Sequence, residues 1–260
     1  MKSQKTTRHS LFALALAANA LLAGGFAPVQ AQTAAPMFAP LPASANAAPE
    51  INAFLAADQK QMPPQGAVLF MGSSSIRLWT TLAQDFSEIS VINRGFGGSL
   101  IQDSTLYADR IAIPYKPKII VLCAGTNDLA YGNKNPQQVL QEYKDFVAKI
   151  HAALPNTRIV YISINPTVAR WNQEADILEA NHLIEEFTFQ TNSKTEKLNF
   201  INSHAQILTA DGQPQPKLLR ADNLHFNAEG YKVGASIVKP RVMALATLDG
   251  VKRLAAPMPQ

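Results

Sequence analysis

The chain has 260 residues, 47% of them hydrophobic and 16% charged, with 23 basic against 19 acidic side chains, which is enough apolar content for a full core. Lysines and arginines are scattered among acids rather than gathered into a basic stripe with interleaved aromatics, which argues against a nucleic-acid partner. A single cysteine, Cys123, rules out an intramolecular disulfide, and with no His-x-x-x-His, no cysteine pair and no acidic cluster the sequence offers no metal-site pattern.

Residues 1–31 open on Lys2, Lys5 and Arg8, continue through an apolar run from Leu11 to about Ala23, and finish on small residues at Val29-Gln30-Ala31. This is the pattern of a secretory signal peptide cut after Ala31. Asn19 and Gly24-Gly25 interrupt the run, which falls short of the roughly 20 apolar residues a membrane span needs. Cleavage removes three basic residues and no acid, taking the formal charge from +4 to +1. It leaves a mature chain expected to be exported, periplasmic or secreted, with no transmembrane segment and no cysteine at the cut site to carry a lipid anchor. Residues 32–49, rich in Ala and Pro without a regular apolar period, read as a flexible leader, and residues 50–260 as one domain.

From there, apolar runs alternate with amphipathic stretches. The runs are AVLFM (67–71), ISVIN (89–93), KIIVLCA (118–124), RIVYISI (158–164) and LNFIN (198–202). Each is apolar on both faces, as strands of a parallel sheet covered on both sides must be. Helices are expected over 76–84, 99–111, 136–153, 173–191 and 228–245. Pro136 fits a first helical position, and Val139, Tyr143, Phe146, Val147 and Ile150 recur at helical spacing behind it. The alternation predicts one doubly wound α/β domain with a five-stranded parallel sheet flanked by helices. Function is then expected at the carboxyl ends of the strands.

Four segments stand there. GSSSI (72–76) follows the first run, and taken alone it reads more readily as a serine-rich turn capping a helix than as a nucleophile, with Ser75 as a capping residue, because a hydroxyl needs a base within reach to attack anything. With Ile76 where a glycine would be needed, it is not the Gly-x-Ser-x-Gly elbow. NRGFGGS (93–99) follows the second run, and three glycines in four positions let the backbone turn sharply with N–H groups free to donate. It matches no phosphate-binding fingerprint. GTND (125–128) follows the third run, and its Asn127 amide is a neutral donor suited to developing negative charge, or simply a turn residue. DNLHFNAEGY (222–231) precedes the last helix. Asp222 and His225, three apart, can set a carboxylate and an imidazole on one side of a turn, with Asn227 as N-cap. His225 is the best base, since His9 leaves with the signal peptide and His151, His182 and His204 are read as following none of the five runs.

In this order, each at a strand end, the four segments resemble the SGNH hydrolase superfamily, also called GDSL-type esterases and lipases, from about Val68 to Tyr231. The resemblance implies the flavodoxin-like SGNH fold and a serine esterase acting through an acyl-enzyme, with Ser74 as nucleophile, His225 as base and acid, and Asp222 orienting it. The oxyanion would be held by the N–H groups of Ser74 and Gly98 and by the Asn127 amide. Ser73 stands where the family usually keeps an aspartate. The segment SINPTVARW (163–171) resembles a branch related to platelet-activating-factor acetylhydrolase-like esterases, in which GSSSIR also occurs. No cofactor is implied. The expected substrate is a small-molecule, lipid or acylated-carbohydrate ester with a short acyl group such as acetyl. A non-catalytic carbohydrate- or envelope-binding domain on the same fold, and an acyltransferase using the same residues, are the alternatives. The stretch 209–223 and the loop around Trp171 are expected to wall the cleft.

Overall fold

The structure is a computed structural model and describes residues 47–254. The signal peptide and all but the last residues of the expected leader lie outside them.

Five strands form one parallel sheet: β1 (Val68–Gly72), β2 (Val91–Gly95), β3 (Ile119–Cys123), β4 (Arg158–Ile162) and β5 (Leu198–Ile201). Their spatial order is β2-β1-β3-β4-β5. Alternate residues of each strand enter opposite cores. Leu69, Met71, Ile120, Leu122, Ile159 and Tyr161 pack into one cluster, while Val68, Phe70, Ile119, Val121, Val160 and Ile162 pack into the other. Both faces are dry, which is the reason the runs are continuous rather than alternating.

The first face carries α1 (Ala47–Lys60), α4 (Ile101–Ile111), α6 (Pro136–Ala153) and α7 (Glu174–Thr195). The second carries α2 (Ser74–Arg77), α3 (Leu82–Asp85) and α8 (Ala228–Leu248). A further short helix, α5 (Thr126–Ala130), follows β3. The helix α6 begins as expected at Pro136. Asn135 and Gln138 exchange side-chain bonds with each other's backbone N–H, both at 2.9 Å, satisfying two donors that the first turn leaves open. Around Trp79 the second core is aromatic, with Phe70, Phe86 and Tyr231 all within 6 Å of its ring or of each other.

Two expectations need correction. The single helix 76–84 is two one-turn helices, because the chain turns at Leu78–Thr81 to seat Trp79, whose indole N–H donates to Asp85 at 2.6 Å. The leader is not extended to residue 49, since α1 starts at Ala47. Ile51 and Asp58 are buried, with Phe54 and Leu55 half-buried between them. Asp58 accepts from both Arg94 and Tyr115, which pins the helix to β2. No described helix is long and apolar enough to cross a membrane.

Candidate active site

The chain leaves β1 in two directions, to β2 on one side and, after returning, to β3 on the other. The carboxyl ends of β1 and β3 therefore meet at a topological switch point, where open α/β sheets leave a crevice. Gly72 closes β1 with φ +132°, and a Cβ there would lie 2.1 Å from the Cys123 carbonyl oxygen, so only glycine fits. The next peptide is tied across the sheet by the Ser73 N–H, which donates to that carbonyl at 3.1 Å. Ser73, the N-cap of α2, is 1% exposed. Ser74 is the first helical residue, so its N–H has no intrahelical acceptor and its side chain faces the crevice. Ser75 is not a cap. It sits one step further into the helix, and its carbonyl accepts the Tyr231 hydroxyl at 2.9 Å.

The opposing wall comes from 151 residues away. Asp222 folds its turn around itself, since one carboxylate oxygen accepts the N–H groups of Leu224 and His225, each at 3.0 Å. The other lies 2.8 Å from His225 Nδ1. That contact assigns the imidazole proton to Nδ1, leaving Nε2 as an acceptor 2.8 Å from Ser74 Oγ. The His225 hydrogen bond, followed by the two backbone donors, holds the Asp222 carboxyl down to about 2. Asn227 caps α8 as expected, accepting from the Gly230 N–H at 3.0 Å.

Gly98 and Asn127 meet at the same end of the sheet. Gly98 adopts φ +68°, and its carbonyl accepts the Tyr131 hydroxyl. Asn127 is 5% exposed and donates one amide hydrogen to the Ser99 carbonyl at 3.0 Å, which leaves a second hydrogen for the crevice it lines. Behind it, the fully buried Asp128 carboxylate accepts from the Ile101 N–H at 3.1 Å and faces Lys134 at 3.4 Å. Burial first, and neighbouring Glu142 second, push Asp128 up to about 7.

All five expected residues, Ser74, Gly98, Asn127, Asp222 and His225, thus converge. Of the side chains that complete the crevice, Glu50 and Tyr131 were not anticipated. Glu50 of α1 accepts from the Gly97 N–H at 3.0 Å and lies 3.6 Å from Arg77. Tyr131 and Arg170 form the opposite rim. Nothing in the residue types around Glu50 and Tyr131 marks either as part of a site, whereas Arg170 falls in the loop around Trp171 that was expected to wall the cleft. Of the expected cleft walls, the stretch 209–223 contributes Asp222 behind the histidine, and the lining itself comes from Asn165, Thr167, Arg170 and Leu224–Phe226. His204 stands three residues beyond the end of β5, nearer a strand end than expected. It is 5% exposed with Nε2 2.9 Å from Glu174, and does not line the crevice.

What the arrangement can do chemically is proton transfer from a serine hydroxyl to an oriented neutral imidazole, beside unspent N–H donors. A family model described as the GDSL-like lipase/acylhydrolase family matches residues 70–233. No curated protein matches the sequence. Solved structures with the same fold include a Streptococcus pneumonia protein described with reference to platelet activating factor (19% identity, TM-score 0.61, covering 76% of this chain and 92% of that one). A GDSL-like lipase from Bacteroides thetaiotaomicron is also similar (18%, 0.60, 75% and 97%), as is a family 3 carbohydrate esterase from Clostridium thermocellum (18%, 0.55, 71% and 99%).

Proposed function

Since the chain belongs to the GDSL-like lipase/acylhydrolase family and is a carboxylic ester hydrolase, we propose that it cleaves its ester through a covalent acyl-enzyme on Ser74. The observation that carries this reading is the continuous relay from Ser74 Oγ to His225 Nε2 and from Nδ1 to Asp222, each step 2.8 Å. Ser74 Oγ bonds to the ester carbonyl carbon as its proton passes to Nε2. The carbonyl oxygen becomes an oxyanion, received by the Ser74 and Gly98 N–H groups and the free hydrogen of the Asn127 amide. The carbon–oxygen bond to the alcohol then breaks, and His225 returns the proton to the leaving oxygen. Water repeats the sequence on the acyl-enzyme. The His225 side chain is 23% exposed, so water reaches it, which favours hydrolysis over acyl transfer.

The acyl group is short, acetyl being the simplest. Ala124, Ile164 and Phe226 line the crevice beside Ser74 and give it apolar wall. The protein acts outside the cytoplasm after loss of residues 1–31.

The test is Ser74→Ala, assayed on 4-nitrophenyl acetate and with a fluorescent organophosphate. The wild type is expected to hydrolyse the ester and become labelled, and the variant to do neither. Full hydrolysis by the variant would overturn the assignment.

A further inference from the structure

The crevice has two arms that share Ser74, Asn127, Leu224 and His225. One runs inward past Ala124 and Ile164 and is the more enclosed. The other runs outward over Gly97 and Gly98 between Arg77 and Arg170 and is open. An ester bound at Ser74 must send its two halves into different arms, and the bulkier alcohol half belongs in the open one, beside the histidine that protonates it.

The two guanidinium groups of the open arm are not equivalent. Arg77 faces the Glu50 carboxylate at 3.6 Å, and that same carboxylate also holds the Gly97 N–H. Arg170 has no carboxylate within ion-pair distance and no hydrogen-bond acceptor for its side chain among the described residues, and its Nε is shielded from solvent. Its one side-chain neighbour of note is the Tyr131 ring, 5.9 Å from Cζ. The two terminal nitrogens of the guanidinium have no acceptor among the described residues and are not shielded, so an anion entering the open arm can reach them. The position is also fixed relative to the chemistry. Arg170 lies in a 3-10 turn, Val168–Gln173, and the neighbouring Ala169 N–H donates at 3.0 Å to the carbonyl of Asn223, inside the Asp222–His225 turn.

We propose that Arg170 determines substrate specificity by receiving an anionic group, carboxylate or phosphate, carried on the alcohol part of the ester. This rests on hydrolysis at Ser74. A planar guanidinium with several open donors suits such oxyanions bidentately, and the formal charge of the arm, with Glu50 set against Arg77, is left positive by Arg170.

The experiment compares matched acetate esters that differ in one charge: 4-acetoxybenzoate against 4-acetoxybenzamide for carboxylate, and 1-acetylglycerol 3-phosphate against 1-acetylglycerol for phosphate. The wild type should favour the anionic member of at least one pair by roughly tenfold in kcat/KM, mainly through KM, as expected for one charge-assisted contact. Added salt should reduce that preference. In Arg170→Gln the ratio of kcat/KM between the anionic and the neutral member should fall to about one, and Arg170→Lys should keep part of the preference. Equal rates on charged and neutral members in the wild type, or an unchanged preference in Arg170→Gln, overturn the proposal. Hydrolysis of the neutral members and its loss in Ser74→Ala report separately on the catalytic reading.

Discussion

Asn127 has already committed one amide hydrogen to the Ser99 carbonyl, so its contribution to turnover rests on the other. Asn127→Ala is expected to lower kcat by roughly 100-fold or more, since one oxyanion donor is worth about 3 kcal/mol of barrier. Steady-state hydrolysis of 4-nitrophenyl acetate reads this, and a loss below tenfold removes Asn127 from the role. Asp222 makes the complementary case. Its carboxyl is held down to about 2, below the ordinary value near 3.9. The stabilisation it brings is therefore complete above about pH 4 and is lost as pH falls through about 2. Because the side chain is 47% exposed, that contribution is small. Asp222→Asn should thus change unfolding stability at pH 7 by less than about 1 kcal/mol, yet lower kcat on the order of 1,000-fold or more, because an amide no longer selects the Nδ1–H tautomer. Urea melts beside kinetics separate the two effects. Ser74, Asp222 and His225 were legible because each stands in a short pattern that resembles the family's motifs, the first after β1 and the other two before α8. Tyr131 and Glu50 were not, because each is an ordinary surface residue until the fold places it, and of Arg170 only its place in a cleft-walling loop was readable, not its lack of an acidic partner.

The elements show the same division. The helix α6 could be read at both ends, since Pro136 at its start and the apolar period behind it are local signals. The helix α1 also carries a local signal, Ile51, Phe54 and Leu55 at helical spacing, but it adjoins an Ala/Pro-rich stretch whose composition suggests an open chain. Its stability comes from the Asp58 contacts with Arg94 and Tyr115 and from packing on the sheet, neither of which spacing reveals. Between α4 and α5, Asp128 ties the two donor loops together through the Ile101 N–H. Burial and Glu142 raise its carboxyl to about 7, so the folded state holds a proton that the unfolded chain releases near 3.9. Stability should then fall as pH rises from about 4 to about 7. Glu142→Gln removes one cause of the shift, and urea midpoints across that window should show a shallower decline. An unchanged slope would mean that Glu142 does not raise Asp128.

For the whole molecule, the end of the sheet away from the crevice bears stability rather than chemistry. Arg158, at the start of β4, grips Asp249 beyond α8 with a pair of bonds at 2.8 and 2.9 Å, and its side chain is 8% exposed. Asp249→Asn leaves that charge without its partner and should cost about 3 kcal/mol in urea unfolding, while kcat stays within about twofold. A change in kcat as large as the stability loss implies would show that the two ends are coupled. The sequence by itself determined that five strands are buried on both faces, that they alternate with helices, and that Ser74, Gly98 and Asn127 follow the first three strands while Asp222 and His225 precede the last helix. These follow from periodicity and turn chemistry, which act over a few residues. Only the tertiary structure decided that β1 lies between β2 and β3, which brings the ends of β1 and β3 together. It also seated α1 against the glycine loop and left Arg170 on the crevice wall without an acidic partner. Those outcomes depend on which distant surfaces exclude water together, and local spacing carries no record of that.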